Sequence, residues 1–357
     1  MSDISVTGIE YIEFYVSNAY QSAHFYARVF GFKPIAYAGL ETGLKDRTSI
    51  LLECRNIRII LTSPLTSNSM IAKHIHQHGD SVRDIAFSSQ NISKTIQEIS
   101  NRGAMILPDD IAQSDSNCNI LKKTFSTFGS TCHSLIEKLS SENPTYPFFT
   151  PCPFNIPSED AGLKEIDHIA VCVEQGTLQK WSKFYQNTLD FYESHKEDVY
   201  TETSGMESIV VRNDFPGCVF PLTAPAAHKE KSQIREFLKF HGTSGVQHVA
   251  FLTDDIFKTV QTLRQRGIQF LSISDSYYES LENRGFNFDI NKLKKYGVLI
   301  DKDNDGILLQ IFSKPVQARP SFFIEVIQRK GSTGFGGGNI RSLFEAIERE
   351  QVNRGTL

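Results

Sequence analysis

The chain is poor in the residues that usually announce a specialised class. Six cysteines in 357 residues (Cys54, Cys118, Cys132, Cys152, Cys172 and Cys218) are scattered and form no CxxC pair. That argues against a disulfide framework or a thiolate zinc site and suits a reducing, cytoplasmic setting. Long apolar runs are missing too; none approaches the ~18 residues a membrane span needs. The opening MSDISVTG lacks the basic and apolar regions of a signal peptide. Positive charge is not in excess: 37 Lys and Arg face 41 Asp and Glu, a net charge of -4, so no nucleic-acid partner is expected. No compact metal motif such as HExxH occurs.

What remains is an ordinary globular composition, 40% hydrophobic and 22% charged, with 26 phenylalanines against a single tryptophan. The length suggests two domains at ~150 residues each. The sequence also repeats itself. GIEYIEFYVSNAYQSAHFYARVFGFKPI from Gly8 parallels EIDHIAVCVEQGTLQKWSKFYQNTLDFYESH from Glu165. HGDSVRDIAFSSQNISKTIQEISNRGAMIL from His78 parallels HGTSGVQHVAFLTDDIFKTVQTLRQRGIQFL from His241. Each half therefore holds two divergent units, and each unit reads as an alternating strand followed by a helix. The proline-rich stretch from Ser140 to Asp160 is the natural linker. Residues 1–150 are expected to be one domain and 161–357 the other. Tyr277 to Gly297 has no counterpart in the first half. The end is a glycine hinge and a helix, with Ile340, Leu343, Phe344 and Ile347 on one face and Asn339 as N-cap.

Three alternating segments of the second half carry a possible metal ligand: His168 in IDHIAVCV, His248 in GVQHVAFL and Glu325 in SFFIEVIQR. The two-residue strand period puts His168 on a face with Ala170 and Cys172. It puts His248 with Val246 and Ala250, and Glu325 with Phe323 and Ile327. Two imidazoles and one carboxylate leave positions open for substrate and O2, which suits an Fe(II) oxygenase. Any one of these histidines alone is more often a satisfied core residue. The repeat strengthens the reading, because Tyr11, Asp84 and Ser134 stand in the first half where His168, His248 and Glu325 stand in the second. The first half is then structural and metal-free, the second catalytic.

DHIAV, SGVQHVAF, GILLQIFSKPV and SFFIEVIQRKGSTGFGGGNIRSLFEAIEREQ resemble the family of 4-hydroxyphenylpyruvate dioxygenase and 4-hydroxymandelate synthase. The resemblance covers nearly the whole chain. It implies an α+β vicinal-oxygen-chelate fold, with βαβββ modules paired into two open barrels and a C-terminal lid helix. It implies Fe(II) at His168, His248 and Glu325, with 4-hydroxyphenylpyruvate and O2 as substrates and a homo-oligomeric assembly. Matched motif by motif, substrate contacts fall on Ser208, Thr223, Gln233, Gln247, Gln310, Phe312, Phe323, Phe335, Ile340 and Phe344. Strand alternation points Gln247 away from His248.

Two departures bear on the product. GGNI puts Ile340 where homogentisate-forming members usually have Phe, and PLTAP puts Thr223 where they usually have Asn. Losing an aromatic wall at Ile340 lets the ring tilt and present its benzylic carbon, so 4-hydroxymandelate is the expected product and homogentisate the alternative. Pro221 and Phe344 follow the homogentisate pattern. An extradiol dioxygenase on the same fold needs an acid–base histidine, for which only His228 and His241 offer themselves. A metal-free binding protein is a further alternative.

Overall fold

The computed structural model describes residues 4–108, 118–140, 145–201, 204–227, 232–283 and 288–356. Its first half forms strands β1 (Ile9–Tyr15), β2 (Lys33–Ala38), β3 (Arg47–Cys54), β4 (Ile57–Pro64), β5 (Ser81–Ser88), β6 (Ile120–Ser126), β7 (Cys132–Lys138) and β8 (Thr150–Pro151). The second half forms β9 (Leu163–Cys172), β10 (Tyr192–Tyr200), β11 (Gly205–Arg212), β12 (Val219–Pro225), β13 (Gly245–Thr253), β14 (Leu299–Lys302), β15 (Ile307–Phe312) and β16 (Phe323–Lys330). Runs such as RTSILLEC and IRIILTSP are rich in the branched residues that pack well on a pleated surface.

Each set makes one curled mixed sheet, ordered β6-β7-β5-β1-β4-β3-β2-β8 in the first half and β10-β11-β12-β9-β13-β16-β15-β14 in the second. In both, a central antiparallel pair (β1·β5, β9·β13) is flanked by a parallel partner on each side. The duplication thus extends to topology. The linker contributes more than a tether: Thr150–Pro151 caps the open edge of β2, the one kind of sheet position where proline costs no ladder bond.

Most helices cover the convex faces, while the one at Gln233–His241 and the one at Gly337–Arg354 pack on the concave face of the second sheet. The helices are α1 (Ala19–Phe25), α2 (Met70–His78), α3 (Ile92–Asn101), α4 (Leu178–Leu189), α5 (Gln233–His241), α6 (Ile256–Gln265), α7 (Asp275–Asn283), α8 (Ile290–Tyr296) and α9 (Gly337–Arg354). α3 and α6 start at equivalent caps, where the Asn91 side chain accepts from Lys94 N and the Asp255 side chain from Lys258 N. The convex faces of both sheets share one core, seen in the Phe14–Phe322, Phe32–Phe251 and Phe87–Phe220 ring contacts. The concave faces form separate clusters inside each half-barrel. Among the described residues no helix is long and apolar enough to cross a membrane.

Two expectations need correction. Asn339 is not the N-cap of α9; Gly336 is, with φ +72°, and Asn339 lies buried in the first helical turn. Strict alternation also fails near the centre of the second sheet. The β9·β13 ladder skips Gln247 on one strand and Asp167 on the other. Such bulges reverse the side-chain parity, so Val246 joins Val249 and Phe251 in the convex core and not the face of His248. The segment without a counterpart, Tyr277 to Gly297, carries α8 and most of α7, with residues 284–287 outside the description.

Candidate metal centre

His168, His248 and Glu325 sit on three adjacent strands, β9, β13 and β16. Ala250 is the cross-strand neighbour of both His168 and Glu325, and Ala170 lies opposite His248. Small residues at these crossings leave room between the larger side chains. All three ligand-bearing side chains are buried, and their donor atoms lie within 4.8 Å of one another. Glu325 Oε2 is 3.1 Å from His168 Nε2 and 3.4 Å from His248 Nε2. Neighbouring donors on an octahedral ion with bonds of about 2.1 Å lie about 3 Å apart, so this face fits a hard-to-borderline divalent metal.

The surroundings orient each ligand. Asp167 Oδ1 accepts from His168 Nδ1 at 2.8 Å, leaving Nε2 to face inward. Adjacent strand residues normally point apart, and the bulge at Asp167 permits this contact. Arg329 grips Asp167 with Nε at 2.7 Å and a terminal amine at 2.8 Å, and also donates to the carbonyls of Ser332 and Gly334. Gln310 Nε2 donates to Glu325 Oε1 at 2.9 Å, while its own Oε1 accepts from Asn339 Nδ2 at 2.8 Å. Tyr277 OH donates to Asn339 Oδ1 at 2.9 Å. A chain of hydrogen bonds therefore joins the Glu325 carboxylate, a candidate metal ligand, to α9 and α7.

Electrostatics mark the spot as one that attracts a cation. Burial works against a charged imidazole, yet Glu325 and Asp167 hold His168 up at about 9. Burial likewise raises Glu325, but His168 and His248 bring it down to about 2. His248 moves the other way, lowered by burial against the pull of Glu325. A divalent ion bound at this centre would take the place of the proton held between His168 and Glu325.

A cavity of about 70 Å³ opens beside these residues. Of the residues expected at the substrate, Ser208, Thr223, Gln233, Gln247, Gln310, Phe312, Phe335 and Ile340 line it. The bulge explains why Gln247 reaches the cavity despite its position next to His248. Two expected residues are elsewhere. Phe323 stacks flat on His248, with ring centroids 4.7 Å apart, and lines a neighbouring crevice. Phe344 is wholly buried with Cys172, Met206 and Phe237, and Ile340 packs against that cluster. Two hydroxyls are also committed to backbone: Ser208 Oγ donates to Glu197 O at 2.7 Å and Thr223 Oγ1 to Val171 O at 3.1 Å. Gln233 Oε1, by contrast, is buried without a partner.

The sequence reading missed His195, which lines the cavity from β10 and stacks on Phe335. Nothing in YESHKEDVY marks it, since that strand is polar along most of its length and lies at a sheet edge. His241 lies against His78 and Phe237, away from the cavity, and His228 falls outside the described residues.

In the first half the equivalent positions are closed to a metal. Tyr11 faces Ala86 as His168 faces Ala250, and Ala86 faces Ser134 as Ala250 faces Glu325. Ser134 Oγ donates to Asp84 Oδ2 at 2.6 Å, and Lys122 Nζ reaches Tyr11 OH at 2.8 Å and Asp84 Oδ2 at 3.1 Å. An ammonium group sits where the second half gathers its ligands.

Residues 8–109 and 165–311 match the model of the Glyoxalase/Bleomycin resistance protein/Dioxygenase superfamily. The chain is 37% identical over 371 residues to the 4-hydroxyphenylpyruvate dioxygenase of Yarrowia lipolytica, spanning 99% of this chain and 94% of that protein. To the 4-hydroxyphenylpyruvate dioxygenase of Caenorhabditis elegans it is 39% identical over 367 residues, spanning 98% and 93%. A solved mutant of 4-hydroxymandelate synthase from Streptomyces coelicolor matches with a TM-score of 0.85 at 33% identity, covering 98% of this chain and 100% of that one.

Proposed function

The chain belongs to the 4-hydroxyphenylpyruvate dioxygenase family of that superfamily, and on this premise we propose that it converts 4-hydroxyphenylpyruvate and O2 to homogentisate and CO2 using Fe(II). The observation that carries the chemistry is the buried His168–His248–Glu325 face beside a cavity lined by Phe312 and Phe335. Fe(II) held there supplies O2 activation and positions for the substrate's α-keto acid. The substrate brings its own two electrons by losing CO2, so no separate 2-oxoglutarate is needed.

The protein's task is to bind, aim and keep the site dry. Phe335 packs edge-on against His168 and Phe312 against His248, with centroids 5.9 and 6.2 Å apart. They wall the reacting ring on two sides. The unpartnered Gln233 Oε1 is the acceptor offered to the phenol hydroxyl. Gln310 keeps Glu325 Oε2 turned toward the two imidazoles by holding its other oxygen.

The benzylic product expected from Ile340 and Thr223 gives way to homogentisate. The full-length relatives at 37% and 39% identity carry the dioxygenase name. The aromatic walls also persist at Phe312 and Phe335, and Thr223 spends its hydroxyl proton on Val171 O. One observation favours 4-hydroxymandelate: Ile340 does line the cavity. The test is to incubate the Fe(II)-loaded protein with 4-hydroxyphenylpyruvate and O2 and separate the products. Homogentisate as main product supports the proposal, 4-hydroxymandelate moves it to the second reading, and neither product defeats both.

A further inference from the structure

The first half-barrel contains a cavity of about 120 Å³, larger than the one beside the metal ligands. Register makes the two cavities equivalent position by position. Ser49 pairs with Thr62 as Ser208 pairs with Thr223. Lys122 lies opposite Ile136 as Gln310 lies opposite Ile327. The bulge recurs as well: the β1·β5 ladder skips Arg83 as the β9·β13 ladder skips Gln247, and both side chains line their cavities. A structural filler module has no reason to keep the hydroxyl pair, the bulge and an open interior while losing the metal ligands.

We propose that the first half-barrel is a second small-molecule site, which takes an aryl carboxylate without a metal. The carboxylate is argued from charge. Arg47, Arg83 and Lys122 line this cavity against the carboxylates of Glu13 and Asp84, whereas the equivalents of Arg47, Arg83 and Lys122 in the second half are Met206, Gln247 and Gln310. Exchanging neutral side chains for cations replaces the charge that a bound metal ion would bring. The ring is argued from Tyr11, Tyr146 and Phe149, which meet edge to face with centroids 5.6 and 5.9 Å apart on the cavity wall. A third feature points to an occupant. Asp84 is buried, lines the cavity and leaves Oδ1 without a hydrogen-bond partner. A buried carboxylate oxygen in that state calls for a donor, which a ligand hydroxyl or ammonium supplies. Metal binding is ruled out locally by the Lys122 ammonium on Tyr11 and Asp84.

The inference does not depend on the reaction assigned above, and its test separates the two. The Fe(II) protein is titrated by calorimetry without O2, using 4-hydroxyphenylpyruvate, L-tyrosine, 4-hydroxyphenylacetate and inorganic phosphate. The same titrations are run on iron-free protein and on Lys122→Met and Arg47→Gln. The first three probes distinguish an α-keto, an α-amino and an unsubstituted acid as the source of the carboxylate. Arg47 pairs with the half-exposed Asp46, and its variant serves if Lys122→Met does not fold. The expected result is one saturable, iron-independent site for at least one aryl carboxylate, weakened at least about tenfold in each folded variant. No iron-independent site for any aryl carboxylate overturns the proposal. So does a site that both variants leave unchanged, or one that takes phosphate equally well.

Discussion

Asp167 does more for the metal centre than its place beside His168 suggests. Its carboxylate fixes the His168 tautomer by accepting from Nδ1, and two bonds from Arg329 fix the carboxylate in turn. Removing one negative oxygen from such a partner typically weakens metal binding about 10–100-fold. Asp167→Asn is therefore expected to lower Fe(II) affinity by that factor in a metal titration, with the fold intact by circular dichroism; unchanged affinity would sink the idea. Ile340 acts on the other side of the cavity. Changing it to Phe adds an aromatic wall on the α9 side of the cavity, so any 4-hydroxymandelate formed by the native chain falls relative to homogentisate. Product ratios that do not move count against a steering role. At this scale the candidate ligands were legible, because strand alternation, the duplicated half and the family motifs together single them out, and the structure brings the three side chains to one buried cluster. The part played by Asp167 was not legible, and Gln247, which the resemblance put at the substrate, was pointed away from it by strand alternation. Both sit at bulges, and neither VQH nor IDH contains a glycine or proline that would mark one.

Helix α9 is tied to the metal centre by one contact that strict helix grammar hides. Its sequence offered Asn339 as a cap, since Asn favours that position. The structure uses Gly336 there and spends Asn339 on bonds with Gln310 and Tyr277, both inside the molecule. The glycine is required twice over. Its φ is +72°, and a Cβ would stand 2.3 Å from Gln310 Oε1. A left-handed non-glycine residue alone costs about 1–2 kcal/mol. Gly336→Ala is expected to push α9 off Gln310 and cut kcat/KM at least about tenfold, while iron content stays near stoichiometric. Metal analysis beside steady-state kinetics checks both halves of that statement. Normal kinetics would show that α9 is not positioned through Gln310. The register of the helix was readable from its apolar face; its start was not, because the deciding partner, Gln310, is 26 residues away in sequence.

The whole molecule is two copies of one plan, and the internal similarity of its sequence already shows that. What similarity did not show is how the copies are joined. They share a core of aromatic rings, and His133 lies in it, between Phe87, Phe125 and Phe220. Its Nδ1 donates to Ile85 O of its own half, and its Nε2 accepts from Tyr185 OH of the other at 2.7 Å. That tautomer is neutral. Burial lowers its pKa from 6.5 to about 4. The unfolded chain thus binds a proton that the folded chain refuses across this interval. His133's contribution is fully present above about 6.5 and is lost as pH falls toward about 4, to a limit of about 3 kcal/mol. His241, held down at about 4 by burial, adds a loss of the same sign. Urea unfolding at pH 7.5 and pH 4.5 checks the prediction. His133→Gln, which cannot titrate, is expected to destabilise the protein at pH 7.5 and to shrink the acid-induced loss by up to about 3 kcal/mol, leaving the share due to the other buried histidines. An acid-induced loss equal to that of the native chain would mean that His133 is already protonated in the fold, and that the joint between the halves is not the apolar core described.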